Sequence, residues 1–399
     1  MKKILGDMVF LSTADWDNPF WTNKQHVALE LSKMGYRILY IESLGLRKPS
    51  VNKKDIKRIF SRVIKGLKPP RKVRDNIWVW SPITIPLNKY KSVRVLNRIL
   101  LKTLLAFWCK YLSFTRPILW TYNPLTTNFL DINKFNYTVY HCVDEIKAQP
   151  GMPVSIIETA EKELTANADY VFVTSKKLLE SRSRWSNNVH YFSNVADYNH
   201  FNKALDSNIE PPIDIANLTK PLIGFIGAIS SYKINFDLLI SVAKSHPEWN
   251  IVMIGDIGEG DPSTNASLLR KYENIKILGP KSYHSLPSYL HFFDLTILPN
   301  NVNEYTESMF PMKFFEYLAA GKDIVSVNLN ALQEFKEYFH FCDTSSHDEF
   351  MNKIEGVLNG NGIPLEKKLS LAQQFTYKKR TEKMMNLIND TLGRRNVDS

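Results

Sequence analysis

Short apolar runs recur along this chain, and most are followed by a segment whose apolar positions repeat at helical spacing. Strands are expected at 3–11, 37–42, 77–80, 117–121, 137–142 and 170–174. Helices are expected at 23–34, 93–114, 156–168 and from Lys176. A polar, proline-containing stretch, 206–220, interrupts the series and reads as a linker. A second series follows, with strands at 223–226, 251–254, 275–278, 295–298 and 324–327, and helices at 237–245, 286–293 and 310–320. Strand and helix in alternation predict an α/β chain with parallel, doubly wound sheets. The expected division is a first domain over 1–205, the linker, a second domain over 221–370, and a closing helix over 371–399.

Composition narrows the function classes. At 399 residues and 44% hydrophobic, the chain can bury two sizeable cores. Cys109, Cys142 and Cys342 are far apart, which argues against a disulfide framework and against a cysteine zinc site. The apolar run after Met1 breaks at Gly6 and Asp7, so no leader is expected, and no window is long and apolar enough to span a bilayer. A cytoplasmic location is the expectation.

Residues 47–74 carry twelve Lys and Arg against one acid, Asp55, an excess equal to the net charge of the whole chain, +11. Ile56, Ile59, Phe60, Val63, Ile64 and Leu67 recur there at helical spacing. A basic amphipathic helix of this kind can lie on an anionic membrane surface. The stripe can equally pack on the domain, and the charge can hold an anionic acceptor. Nucleic acid is not an expected partner, because no nucleic-acid module accompanies the patch.

The second domain carries the densest motif. Pro311, Lys313, Glu316 and Gly321 form P-x-K-x-x-E-x-x-x-x-G before the strand at 324–327. Proline suits the opening of a helix and glycine its end. Lys313 and Glu316 then share one face, where a carboxylate can accept from a sugar diol and the cation and helix end can attract phosphate. An exposed ion pair of this spacing is common without function. Three further segments accompany it. Gly227 ends a strand and Lys233 follows six residues on, a loop able to hold a pyrophosphate. Gly255, Gly258 and Asp261 follow the next strand, and Lys281 and Tyr283 the one after. Ser308, Met309 and Phe310 precede the motif.

This ordered set resembles the donor site of GT-B glycosyltransferases, in particular glycosyltransferase family four. The resemblance covers nearly the whole chain and is strongest over 224–327. It implies two Rossmann-like domains facing across a cleft, with the C-terminal helix crossing back to the N-terminal domain. It implies that Glu316 binds the donor ribose, that Lys233 and Lys313 hold the diphosphate, and that the loop of Lys281 and Tyr283 meets the nucleobase. The family's usual arginine after the glycine is Ala228 here, and its first motif glutamate falls at Ser308, with Glu307 one residue away. Backbone N–H groups of 308–310 are the expected replacement.

The acceptor is expected at Asp15, Trp16, Asp17 and Trp21, after the first strand, where indole rings and carboxylates suit sugar. A packed Asx-rich turn is the competing reading. His141 and Asp144, at another strand end, are candidates to orient or deprotonate the acceptor, with Lys233 assisting the leaving group. The expected reaction is retaining and metal-independent, with no metal site and no cofactor beyond the nucleotide-sugar donor. The acceptor class is a glycan or a lipid-linked glycan in cell-surface polysaccharide synthesis. The alternatives are a non-catalytic sugar-nucleotide-binding or partner subunit, and a GT-B epimerase.

Overall fold

The structure, a computed structural model, describes residues 4–44, 66, 68–82, 91–258, 261–343 and 346–395. Of the basic segment 47–74, only residues 66 and 68–74 fall among these. The chain forms two units, Met1–Phe192 with Thr381–Ser399, and Ser193–Arg380.

The first unit holds β1 (Gly6–Leu11), β2 (Tyr36–Ile41), β3 (Arg71–Arg74), β4 (Ile77–Trp80), β5 (Ile118–Thr121), β6 (Thr138–Cys142), β7 (Tyr170–Val173) and β8 (Val189–Tyr191). Their order is β3-β4-β2-β1-β5-β6-β7-β8, with every pairing parallel except β3 against β4. Central strands of a parallel sheet are covered on both faces, which is why β1, β5, β6 and β7 are buried almost throughout and mainly apolar rather than alternating. Met8 and Phe10 enter one core while Val9 and Leu11 enter the other. The Asn23–Met34 helix starts where Gln25 Oε1 accepts from Thr22 N at 3.1 Å and ends at Gly35, whose φ of 111° is open to glycine at little cost. Strand order reverses between β1 and β5, which opens a crevice at their carboxyl ends.

The second unit holds β9 (Leu222–Ile226), β10 (Asn250–Ile254), β11 (Ile275–Gly279), β12 (Leu295–Leu298), β13 (Ile324–Ser326) and β14 (His340–Phe341). All are parallel, in the order β11-β10-β9-β12-β13-β14, so the reversal falls between β9 and β12. The two parallel-sheet, Rossmann-like domains are therefore present.

Their bounds differ from the sequence reading. Residues 193–205 fold with the second unit, where Phe201 and Ala204 enter the core and Asn202 Nδ2 donates to Ala319 O at 3.2 Å. The stretch 206–220 packs rather than links: Ile215 is buried, and Asp214 binds Lys281 and the Tyr289 hydroxyl. Polar composition concealed one buried isoleucine and one paired carboxylate. From Thr381 the Tyr377–Arg395 helix belongs to the first unit, with Met384, Met385 and Ile388 in its core. The three cysteines are free thiols.

Candidate active site

The carboxyl ends of β9 and β12 position the second unit's motifs. After β9 the chain turns at Gly227, whose N–H donates to Ile254 O at 2.8 Å. Gly255 lies beneath it with φ of 154°. A Cβ there would meet the Gly227 carbonyl at 1.8 Å, so the close approach requires glycine. The loop from Gly227 then reaches Asn235, which caps the Phe236–Ser245 helix by accepting from Leu238 N at 2.9 Å.

Asparagines after β12 lace this loop down. Asn301 Nδ2 donates to Ser231 O at 2.7 Å, Asn301 N to Lys233 O at 2.8 Å, and Asn303 Nδ2 to Tyr232 O at 2.7 Å. Asn303 also caps the Glu304–Ser308 helix. On the other side, Asp261 accepts from Ser231 Oγ at 2.8 Å and Thr264 Oγ1 at 2.9 Å. Burial opposes ionisation of Asp261, but hydrogen bonds from Ser263, Ser231 and Thr264 outweigh it and bring the pKa down to about 2. Lys233 rises from this braced loop with Nζ 5.3 Å from the Tyr232 ring centre and 5.5 Å from that of Tyr305.

The helix bearing the motif is shorter than expected, Lys313–Ala319. Pro311 lies in the turn before it, where its carbonyl accepts from Phe314 N at 3.1 Å. Phe314, Phe315, Tyr317 and Leu318 are buried, and so is Glu316. Lys313 Nζ lies 2.5 Å from Glu316 Oε2, with the lysine side chain 26% exposed and the carboxylate side chain 4%. The pair is therefore not the solvated ion pair that such spacing commonly gives. Burial raises the Glu316 pKa, and Lys313 partly opposes the rise. The Tyr317 hydroxyl accepts from Ile226 N at 2.8 Å, fastening this helix to the end of β9 beside Gly227.

The other expected donor residues fall on different surroundings. Ser308 and Phe310 are buried, Met309 is half-buried, and Phe310 O accepts from Asn194 Nδ2 at 2.6 Å. Tyr283 stacks on His200 with ring centres 4.2 Å apart. Burial chiefly, and then Glu316, Tyr377 and Asp197, raise the Tyr283 pKa. Lys281 is turned to Asp214 at 2.5 Å and to the Tyr289 ring. Glu307 lines a cavity of about 590 Å³ with Asn300, Asn328, Gln333 and Asp343, which none of Lys233, Lys313 and Glu316 lines. Asn301 and Asn303 were missed as site-building residues, and Asp261 was noted in its loop without its bracing role. The run of asparagines after the 295–298 strand was the available signal.

In the first unit, Trp16 is core rather than a sugar platform. It is 6% exposed and packs against Trp21 at 5.3 Å and Tyr40 at 5.1 Å, and its backbone N–H donates to Glu42 Oε1 at 2.9 Å. Trp21 is half-buried and packs on His26. Asp15 and Asp17 are exposed, and Asp17 pairs with Arg71. His141 is fully buried, 4.7 Å from the Tyr122 ring and edge-on to Trp120 and Phe172. That enclosure withdraws it from direct contact with an acceptor. Asp144 is half-buried after β6, next to Glu145, which pairs with the buried Arg182 at 2.5 Å. Among the described residues, no three His, Cys, Asp or Glu side chains gather as a metal site requires.

Comparison with known proteins bears on the family and the fold. Residues 207–380 match the family described as Glycosyl transferases group 1. A Bacillus subtilis (strain 168) protein, provisionally named teichuronic acid biosynthesis glycosyltransferase TuaH, is 29% identical over 214 residues. That match covers 52% of this chain and 51% of the relative, so it reaches only about half the length of either. Among solved structures, sucrose-phosphate synthase from Thermosynechococcus elongatus is 15% identical with a TM-score of 0.68, covering 98% of this chain and 100% of that one. Anabaena Alr3699/HepE in complex with UDP and glucose is 14% identical with a TM-score of 0.66, covering 97% and 100%. At these identities the structures speak for the fold. The chain has the two-domain α/β fold of these GT-B structures, and its residues 207–380 are similar to the family described as Glycosyl transferases group 1.

Proposed function

We propose that the protein transfers a sugar from a nucleotide-sugar donor to a glycan or lipid-linked acceptor in cell-surface polysaccharide synthesis, with retention and without a metal ion. The observation that carries the donor half is the buried Glu316 carboxylate paired with Lys313 on a helix fastened to β9 beside the Gly227 loop. A buried carboxylate is costly unless something repays it. A ribose diol donating two hydrogen bonds is the repayment proposed here, while Lys313 turns to the diphosphate. Lys233, on its braced loop, is the second cation. Together they take the charge that develops on the leaving diphosphate. The name of the Bacillus relative supports a polysaccharide acceptor. UDP in the Anabaena neighbour makes a UDP-sugar the first donor to try. Asp144, exposed enough to reach an acceptor, is retained as its positioning group, and Asp15 and Asp17 as acceptor contacts. A cytoplasmic location, with residues 47–74 against an anionic membrane, completes the proposal.

A second reading is favoured by two positions. Ala228 supplies no cation and Ser308 no carboxylate, so a sugar-nucleotide-binding subunit without turnover fits the same pocket residues. Thermal-shift screening of nucleotide sugars, followed by an assay of nucleoside diphosphate release with and without EDTA, separates them. Stabilisation with turnover that survives EDTA supports the transferase. Stabilisation without turnover favours the binder, and turnover lost to EDTA and restored by Mn²⁺ overturns the metal-free reaction.

A further inference from the structure

The Lys91–Tyr111 helix is 21 residues long and contains five basic residues, Lys91, Arg94, Arg98, Lys102 and Lys110, and no acid. Its inner face is conventional: Asn97, Leu101 and Leu105 are buried, and both leucines belong to the first unit's core. Its outer face is not. Val95, Leu96, Ile99, Phe107 and Tyr111 are 49%, 44%, 56%, 56% and 66% exposed, and they recur at helical spacing. Arg98 and Lys102 are exposed along one edge of this apolar strip, and Lys110 stands within it. Apolar side chains scattered singly over a surface need no explanation, but five large ones exposed on one face of a single helix do.

We infer that this outer face is a docking surface for an anionic lipid bilayer, with the helix lying in the interfacial plane. Charge selects the occupant. Every charged residue of this helix is a cation, so its face repels the same face of a second copy and is complementary to anionic headgroups. Geometry agrees. At about 1.5 Å per residue the helix runs about 30 Å, and its exposed apolar side chains reach the acyl boundary while arginine and lysine heads stay at the headgroups. Among the described residues no helix is long and apolar enough to cross a membrane, so the surface mode is the one this helix offers. The inference does not rest on the donor site, and it adds to residues 47–74 a surface whose side chains are described.

Flotation of the full chain with phosphatidylcholine vesicles, and with vesicles containing 30% phosphatidylglycerol by design, tests it. The wild type is expected to float with the anionic vesicles and to be released as salt rises. Ile99→Glu with Phe107→Glu, and separately Arg98→Glu with Lys102→Glu, should each weaken anionic-vesicle binding by about tenfold or more at unchanged melting temperature. Full retention of vesicle binding by both double variants overturns the inference, whatever residues 47–74 do. So does failure of the wild type to float. A fall in melting temperature, or dissociation of a dimer in light scattering, for Ile99→Glu with Phe107→Glu without loss of flotation shows that protein covers the face, and overturns it as well.

Discussion

The Tyr317 hydroxyl accepts a hydrogen bond from Ile226 N at 2.8 Å, joining the helix that carries Glu316 to the last residue of β9. Both groups are buried, so no water can replace the partner. Tyr317→Phe is expected to leave the Ile226 N–H unsatisfied and to cost about 1–3 kcal/mol of stability. Because the bond sits between the Glu316 helix and the Gly227 loop, nucleotide affinity should fall with it. Urea denaturation and calorimetry on one sample measure both. A variant as stable as wild type would show that the bond does not hold the two elements.

Glu316 should oppose folding where it supports binding. Its folded-state pKa is raised, by burial first and against the pull of Lys313. Below the unfolded value of about 4.3 the carboxyl is protonated in both states and costs nothing. As pH rises through that value and then through the higher folded one, the unfolded chain loses its proton first, so a penalty develops and persists to neutral pH. Glu316→Gln is therefore expected to melt higher than wild type at pH 7 and to lose that advantage near pH 4. Donor affinity at pH 7 should fall by about 1.5–3 kcal/mol, the worth of a charge-assisted hydrogen bond. Lower stability of Glu316→Gln at neutral pH would contradict the assignment.

Much of this fold is legible in the residues, and the reasons are physical. The strand at 251–254 is a continuous apolar run, and that at 295–298 is broken only by Thr296, because parallel strands are covered on both faces. The Asn23–Met34 helix shows both its ends in Thr22 with Gln25 and in Gly35. The edge strands β3, β8 and β14 are short and only partly buried, so no apolar pattern announces them. In the site, spacing alone placed Lys313 on Glu316. It could not say that the carboxylate is buried, which is what distinguishes this pair from a surface one. Nor could type and position reveal that Trp16 and His141 turn inward, because an aromatic or imidazole at a strand end serves a core as well as a ligand. The cluster of Arg182 with Glu145, Glu161 and the Tyr140 hydroxyl joins residues up to 42 apart in sequence, beyond any local pattern.

Asp261 braces the Lys233 loop, and its ionisation should show in acid. Its folded pKa is depressed to about 2, so its stabilisation is fully present above the ordinary carboxylate value and is lost as pH falls toward 2. Asp261→Asn is expected to cost about 2 kcal/mol at pH 7 and little near pH 2. The same variant should weaken diphosphate binding, since Ser231 beside it loses its anchor. A stability difference that is unchanged by acid would argue against the brace.

The central claim is that Glu316 and the lysines Lys313 and Lys233 bind the donor's nucleoside diphosphate. Isothermal titration calorimetry with the nucleoside diphosphate chosen by the donor screen tests it directly on wild type, Glu316→Ala and Lys233→Ala. Each variant is expected to lose about 1.5–3 kcal/mol of binding free energy while remaining folded. Affinity unchanged in both variants would contradict the account.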